Sequence, residues 1–384
     1  MKAWVANLRD EPFRLFFPLG VVLAWVGIGH WLLYALSLAE TYSCLAHGLA
    51  VAQGFLVAFA AGFLMTAVPR RTASAPPSAV EVCALAVLLI LTTTAAAGRW
   101  WRSAEIAYAA ALALLLRFVA VRFAPSRAAR RPPASFVLIP MGLVAGIAGA
   151  ALIATCSSGA AGASWLAMGR LLTEQGVFLC FALGAGALIL PLVRGTPPPR
   201  DLGSAAAEWA RAGGYLLAGL TIVATFALEA CGWVHVAPVL RAGAVAASGL
   251  LGGGMWRPPQ RPGLHRRLVW LAGWMMPLGL AASGLAPDYR VPALHVLFIG
   301  GFSVLAFGVA THVSFGHLGL ERLAEGRSAA VVAVGAGLLL ALASRVAADF
   351  SHTYFDHLGW AAACWIGGSA VWLVRLGPRF VRKR

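Results

Sequence analysis

Histidines inside strongly apolar segments are the residues of this chain best suited to hold a metal. His295, His312 and His317 lie in one such segment, and His30 and His47 lie in two others near the N-terminus. A neutral imidazole is stable in an apolar setting when one ring nitrogen donates a hydrogen bond and the other binds a transition metal or haem iron. The alternative is that each ring donates a hydrogen bond between helices, which contributes about 1 kcal/mol.

The segments that carry these histidines are long enough to cross a membrane. The chain has 384 residues, of which 60% are hydrophobic and 11% charged, and its mean hydropathy is +0.80. Apolar runs of about 20 residues match the roughly 30 Å hydrocarbon core of a bilayer. Composition and run length therefore predict an all-α, polytopic integral membrane protein that forms one transmembrane domain over residues 1–384.

Twelve transmembrane helices are predicted, and the eighth is the shortest. They cover residues 15 to 36, 43 to 67, 79 to 98, 104 to 121, 136 to 156, 171 to 193, 212 to 231, 242 to 255, 268 to 285, 291 to 314, 328 to 347 and 358 to 375. With the N-terminus in the cytoplasm, 24 of the 30 Lys and Arg residues fall on the cytoplasmic side. Because cytoplasmic loops are enriched in Lys and Arg, this distribution predicts an even number of spans and two cytoplasmic termini.

The net charge of +16 is explained by these basic loops. Anionic lipid headgroups attract Lys and Arg at the membrane surface. A nucleic-acid partner would require a soluble basic face, and the loops between the predicted spans leave no room for one. Membrane lipids are therefore the expected partners, and no nucleic acid is expected.

The predicted topology divides six of the histidines into two layers. The outer layer contains His30, His47 and His295, and the inner layer contains His265, His312 and His317. In a regular α-helix, His295 and His317 share a face to within about 40° but lie about 33 Å apart along the axis. They therefore cannot bind the same haem. His317, with His312 or His265, is the candidate for an inner site, and Gly316 is the expected point for a break in the helix. The alternative is that His317 caps the helix end near the headgroups.

His47 and His295 form the preferred ligand pair, because they lie at one depth on different helices. Metal or haem coordination explains both at once, whereas interhelical hydrogen bonds would need two independent reasons. Cys44 precedes His47 by three residues, and a thiolate beside an imidazole is a suitable copper environment. The other five cysteines are interpreted as small buried apolar residues.

Carboxylates offer little competing chemistry. Glu105 and Glu174 lie near predicted span ends, and no acidic residue falls at mid-membrane, where a proton-coupled transporter would carry its relay. Dinucleotide-binding and P-loop patterns are absent from the sequence. A transporter with twelve spans stays open as an alternative.

Several motifs closely resemble the NnrS family of bacterial membrane proteins. They are EPFRLFF before the first span, AGFLMTAVPR at the end of the second, RLVWLAGWMMPLGL in the ninth, and ALHVLFIGG and THVSFGHLG in the tenth. The resemblance implies a multi-pass protein of the bacterial cell inner membrane that contains haem b, in one or two copies, and copper. It also implies a link to nitric oxide and nitrosative stress.

At the start of the second span, the sequence matches the family's motif only in part. The family usually has a Trp-His-Ala-His-Glu-Met run there, and His47 in AHGLAV matches its first histidine. Leu49 and Ala50 replace the second histidine and the glutamate. The resemblance therefore implies that one metal position is lost or replaced, and His30 is the candidate substitute.

In the tenth span the match is closer. His295 and His317 match family histidines, whereas His312 stands where the family typically has arginine. We expect a haem-binding NnrS-type protein with a redox or nitric-oxide-related role. One alternative is a non-catalytic anchor or electron-relay subunit that works with quinone or other respiratory-chain proteins. The sequence leaves open whether the protein is an enzyme.

Overall fold

Apolar helices make up nearly the whole chain. The computed structural model describes residues 7–124, 131–156, 160–203 and 205–381. Lys2, Arg127 and Arg384, which contribute to the charge distribution above, lie outside these residues. The membrane-length helices and the short α8 are α1 (Phe13–Ala35), α2 (Cys44–Thr72), α3 (Ala79–Ala97), α4 (Trp101–Phe123), α5 (Ala134–Thr155), α6 (Gly162–Arg194), α7 (Ala206–Ala230), α8 (Val236–Gly252), α9 (Leu264–Leu285), α10 (Pro287–His317), α11 (Ala329–Ala348) and α12 (Tyr354–Val381).

The polytopic all-α fold predicted from the sequence is confirmed. Within the described residues, eleven helices are long and apolar enough to cross a membrane, and α8 is a shorter apolar helix. It lies along the full length of α9, because His235 before α8 bonds the Gly284 carbonyl at 3.2 Å and Trp270 bonds the Met255 carbonyl at 2.8 Å. A twelfth span, formed by α8, stays a prediction.

The two ends of the described chain lie on one side of the bundle. Nη1 of Arg14 donates to the carbonyl oxygens of Arg379 and Phe380 at 3.1 and 3.2 Å. This contact requires both ends of the described chain to lie on the same side of the membrane, as they do when the number of spans is even.

The sixth span begins nine residues earlier than predicted, at Gly162. The prediction stopped at residue 171 because Arg170 and Glu174 lower the local hydropathy. In the structure Nε of Arg170 donates to Oε1 of Glu174 at 2.8 Å, one helical turn away. Pairing at this spacing lets both charges remain within a continuous helix.

Three central helices are surrounded by the other nine. The central helices are α2, α6 and α10, which are the longest and most buried of the eleven membrane-length helices. The peripheral helices contact one another in the order α1, α3, α4, α5, α7, α8, α9, α11 and α12, and α12 returns to α1. The chain therefore repeats one pattern three times, in which the second helix of every four enters the centre.

Each central helix contains a π-helical segment. These segments are Ala50–Leu56, Leu171–Gly176 and Val296–Ser303. A π-helical turn inserts an extra residue, rotates the following side chains and is frequent at functional sites. The regular-helix arithmetic for the face shared by His295 and His317 is therefore wrong, since one such segment lies between them.

The expected break at Gly316 is also not observed. The α-helical part of α10 continues to His317, and the left-handed residue that follows is Gly319, with φ of 65°. The irregular part of this helix thus lies near His295 and not near His317.

A buried ionic network fastens α8 to its neighbours. Arg241 of α8 is 1% exposed and donates to Oε2 of Glu229 at 2.6 Å, to Oε1 of Gln175 at 2.9 Å and to Oγ1 of Thr225 at 3.0 Å. Arg290 pairs with the other oxygen of the Glu229 carboxylate. These contacts join α6, α7, α8 and α10 at one level.

Candidate functional site

A cavity of about 370 Å³ lies between the central helices and the last two helices of the chain. This volume falls within the range of small-molecule and cofactor sites, roughly 300–1,000 Å³. Most of its lining is apolar or aromatic. The side chains that carry polar or ionisable groups include Cys44, His47, Arg170, Glu174, His295, Ser303, Arg345 and Tyr354. The structure thus brings the two preferred histidines to one cavity.

His47 is held in a defined tautomer. Its helix begins at Cys44, where the Ser43 side chain accepts the Ala46 N–H at 3.2 Å as an N-cap. Nδ1 of His47 lies 2.9 Å from the carbonyl oxygen of Gly27. A carbonyl oxygen can only accept, so Nδ1 carries the proton and Nε2 keeps its lone pair. A glycine at position 27 allows this approach, since an added Cβ would lie 2.8 Å from the Ala50 side chain.

His295 has the same arrangement on α10. Its Nδ1 lies 2.8 Å from the carbonyl oxygen of Val291, one turn earlier in the helix, and must therefore be the donor. Nε2 again keeps the lone pair. Donation of the second ring N–H to a carbonyl is the usual arrangement for a metal-ligating histidine. Two different central helices thus each offer an imidazole nitrogen to the same cavity.

Two arginines add positive charge to the cavity wall. Arg170 pairs with Glu174, which packs against Gly48 beside His47, where an added Cβ would lie 2.8 Å from the glutamate oxygen. Arg345 pairs with Asp349 and also donates to the Tyr354 hydroxyl at 3.3 Å. The sequence interpretation missed these residues as site components. The Arg–Glu spacing of four inside an apolar run is the signal that could have found them.

His30 lies behind His47 and does not line the cavity. The two ring centroids are 5.9 Å apart, and the ring of Trp31 lies 4.8 Å from that of His30. Nε2 of His30 is buried and has no hydrogen-bond partner in the described part of the chain. His30 therefore packs beside His47. The role of His30 as a substitute ligand stays a prediction.

The inner-layer histidines separate into two groups. Nε2 of His265 lies 3.3 Å from Nδ1 of His312, and the two rings are stacked with centroids 5.5 Å apart. No macrocycle fits between rings in direct contact. Nδ1 of His317 instead donates to Oε1 of Glu11 at 3.0 Å, and Nη1 of Arg70 donates to Nε2 of His317 at 2.6 Å. The structure thus places His317 in a charged cluster with the N-terminal segment.

Glu11 is the centre of that cluster. Burial raises its pKa, but hydrogen bonds from His317 and Arg14 and the positive charge of Arg14 outweigh this effect and lower the pKa to about 2. Nε of Arg14 donates to Oε2 of Glu11 at 2.6 Å. The carboxylate therefore stays ionised at neutral pH and links α1, α2 and α10 at the face that carries the chain ends.

The His, Cys, Asp and Glu side chains of the site suit a bare metal ion and a haem to different degrees. Across residues 7–124, 131–156, 160–203 and 205–381, no three or more His, Cys, Asp or Glu side chains are grouped to hold a metal ion. Cys44, His47, Glu174 and His295 line the cavity, but they are not grouped as a bare copper ion would require. A haem supplies four nitrogens itself and needs fewer ligands from the protein. The side chains present therefore suit a haem better than a bare copper ion, and both cofactors stay predictions.

These features define a multi-pass α-helical membrane protein with a cofactor-sized cavity between its central helices. The model of the family described as NnrS protein matches residues 7–384, nearly the whole chain. The protein belongs to this family. A comparison with curated proteins finds no match.

Proposed function

We propose that the cavity binds one haem b, with Nε2 of His47 and Nε2 of His295 as the axial ligands. The observation that carries this proposal is the matched geometry of the two rings. Both line one cavity, both donate Nδ1–H to a backbone carbonyl, and both keep a lone pair on Nε2. They belong to two different central helices, so both imidazoles would be available to one group bound in the cavity.

The cavity wall also suits the porphyrin ring and the carboxylates of a haem b. Its largely apolar lining matches the porphyrin faces, and Trp365 and Phe298 supply aromatic surface. Haem b carries two carboxylates, and guanidinium groups are the residues best suited to bind them. Arg170 and Arg345 are the two arginines of the lining. We assign them to charge compensation of these carboxylates.

When bound, such a haem would supply one-electron redox chemistry. The chain's own contribution is to hold both imidazoles in the correct tautomer and to exclude water with apolar side chains. Membership of the NnrS family supports a redox role related to nitric oxide or nitrosative stress. We place the protein in the bacterial inner membrane with both termini in the cytoplasm, on the basis of the Lys and Arg distribution.

An electron-relay role beside quinone or other respiratory-chain proteins is the second candidate. A haem with two histidine ligands is typical of electron transfer, and this geometry therefore favours the relay over the transporter. The two roles differ in whether nitric oxide binds the reduced protein. Nitric oxide binding to the reduced haem supports the first role, and its absence supports the relay.

Single alanine variants of the two ligands test the proposal. His47→Ala and His295→Ala should each release the haem or convert it from low-spin to high-spin, as measured by absorbance and by a pyridine haemochrome assay. His235→Ala is the matched control, because its Nδ1 also bonds a carbonyl, at 3.2 Å, but the ring does not line the cavity. If both ligand variants keep the haem content and spectrum of the parent, the assignment is wrong.

A further inference from the structure

A second polar group is buried between α2, α3 and α4, beside the cavity but outside its lining. It consists of Gln53, Thr93, Glu105 and Tyr108, all of which are 0% exposed. The sequence interpretation expected Glu105 near a span end. In the structure this glutamate lies in the first turns of α4, as expected, and is fully enclosed by protein. Polar residues within membrane helices usually mark function.

Glu105 is hydrogen-bonded by an amide and has no cation paired with it in the described part of the chain. Nε2 of Gln53 donates to both of its oxygens, at 2.9 and 3.1 Å. Glu105 forms no ion pair with any other described residue. The carboxylate of Glu174 acts on it electrostatically, as a charge of the same sign. An ionised carboxylate enclosed by protein loses its hydration, and no cation compensates for that loss here, so burial favours the proton-bearing form.

Three polar atoms of the same group also lack partners. Oε1 of Gln53, Oγ1 of Thr93 and Oη of Tyr108 are buried and have no hydrogen-bond partner in the described structure. Buried polar atoms are nearly always satisfied, by protein or by ordered water. A proton on Glu105 adds a donor beside Gln53, and buried water would satisfy the two hydroxyls.

The backbone places this group next to the cavity. Gln53 belongs to the π-helical segment Ala50–Leu56, and Val51, Ala52 and Leu56 of that segment line the cavity. Thr93 lies against Gly54, where an added Cβ would be 2.4 Å from its hydroxyl oxygen. The polar group and the haem cavity proposed above therefore share the segment Ala50–Leu56 of α2.

We propose that Glu105 is a proton-exchange site of the membrane domain. Its carboxyl holds a proton at neutral pH and exchanges it with water bound by Gln53, Thr93 and Tyr108. In the exchange the O–H bond of the carboxyl breaks, the proton passes to water, and the amide of Gln53 stabilises the carboxylate left behind. The reverse step restores the acid. The further role of this site, to supply a proton when the cavity gains an electron, rests on the proposed haem function.

Infrared spectroscopy of the full-length protein in lipid bilayers tests the protonation. We expect a carboxylic-acid C=O band at neutral pH that shifts in D₂O and is lost in Glu105→Gln. This substitution keeps the size of the side chain and can still pair with Gln53. Glu81→Gln is the control, since Glu81 accepts the Ser78 N–H at 2.8 Å and pairs with Arg122 at 3.4 Å. It should leave the band unchanged. A parent without the band, or a band that survives in Glu105→Gln or does not shift in D₂O, overturns the proposal.

Further measurements separate this site from the haem proposal. Tyr108→Phe removes one hydroxyl and should shift the band without abolishing it, whereas an unchanged band would exclude Tyr108 from the site. A haem-free protein that keeps the band would refute the proposed function and leave the proton site intact. In haem-loaded protein, reduction should shift the Glu105 band. An unshifted band would overturn the coupling to the cavity.

Discussion

Arg241 offers the sharpest test of how this bundle is held together. Arg241→Met keeps an unbranched side chain but removes the guanidinium. The variant loses the hydrogen bonds to Glu229, Gln175 and Thr225. It also loses the stacking of the guanidinium, whose central carbon lies 4.0 Å from the centre of the Phe226 ring. Glu229, only 6% exposed, is left with Arg290 alone.

The expected cost follows from these contacts. Removal of one partner from a buried ion pair costs about 3–5 kcal/mol, because the remaining charge stays desolvated. Because Arg290 still pairs with Glu229, we expect the lower end of this range: Arg241→Met should lower the free energy of unfolding by about 3 kcal/mol.

Reversible unfolding in lipid–detergent mixtures measures these free energies. Arg257→Met is the matched control, since Arg257 stacks on Trp256 at 4.2 Å at an exposed position and should contribute less than about 1 kcal/mol. The reasoning is refuted if Arg241→Met costs no more than the control.

Three further predictions concern the charged face and the topology. The lowered pKa of Glu11 stabilises the fold above pH 4.5 and this contribution is lost as the pH falls toward about 2, so the unfolding free energy of Glu11→Gln should vary less with pH over this interval than that of the parent. Because His317 contacts Glu11 and lies apart from the cavity, His317→Ala should leave the haem spectrum unchanged, and a lost chromophore would instead reveal an inner site. Reporter fusions should place Arg200 in the cytoplasm and His352 outside, and both residues on one side would contradict the predicted topology.

The sequence predicted the spans because hydropathy responds directly to the membrane. It also predicted that His47 and His295 lie at one depth, and both residues do line one cavity. Depth follows from span order and the rise of a helix. It needs no knowledge of which helices are neighbours.

The sequence did not predict the arrangement of the helices or their local irregularities. Hydropathy cannot distinguish a central helix from a peripheral one when lipid and protein interior are equally apolar. It also carries no signal for the π-helical segments, which change the direction of side chains after His295. Glu105 was predicted to lie near a span end, and it does lie in the first turns of α4, which begins at Trp101. Its complete burial was not predicted, because burial of that turn depends on the neighbouring helices.

The reduced-minus-oxidised absorbance spectrum of the purified protein, quantified by pyridine haemochrome, tests the central proposal most directly. With His47 and His295 as axial ligands, we expect one haem b per chain and the spectrum of a low-spin haem. A protein purified from haem-replete cells without a haem signal would contradict the proposal. So would a high-spin spectrum, since it would show that the two imidazoles do not both bind the iron.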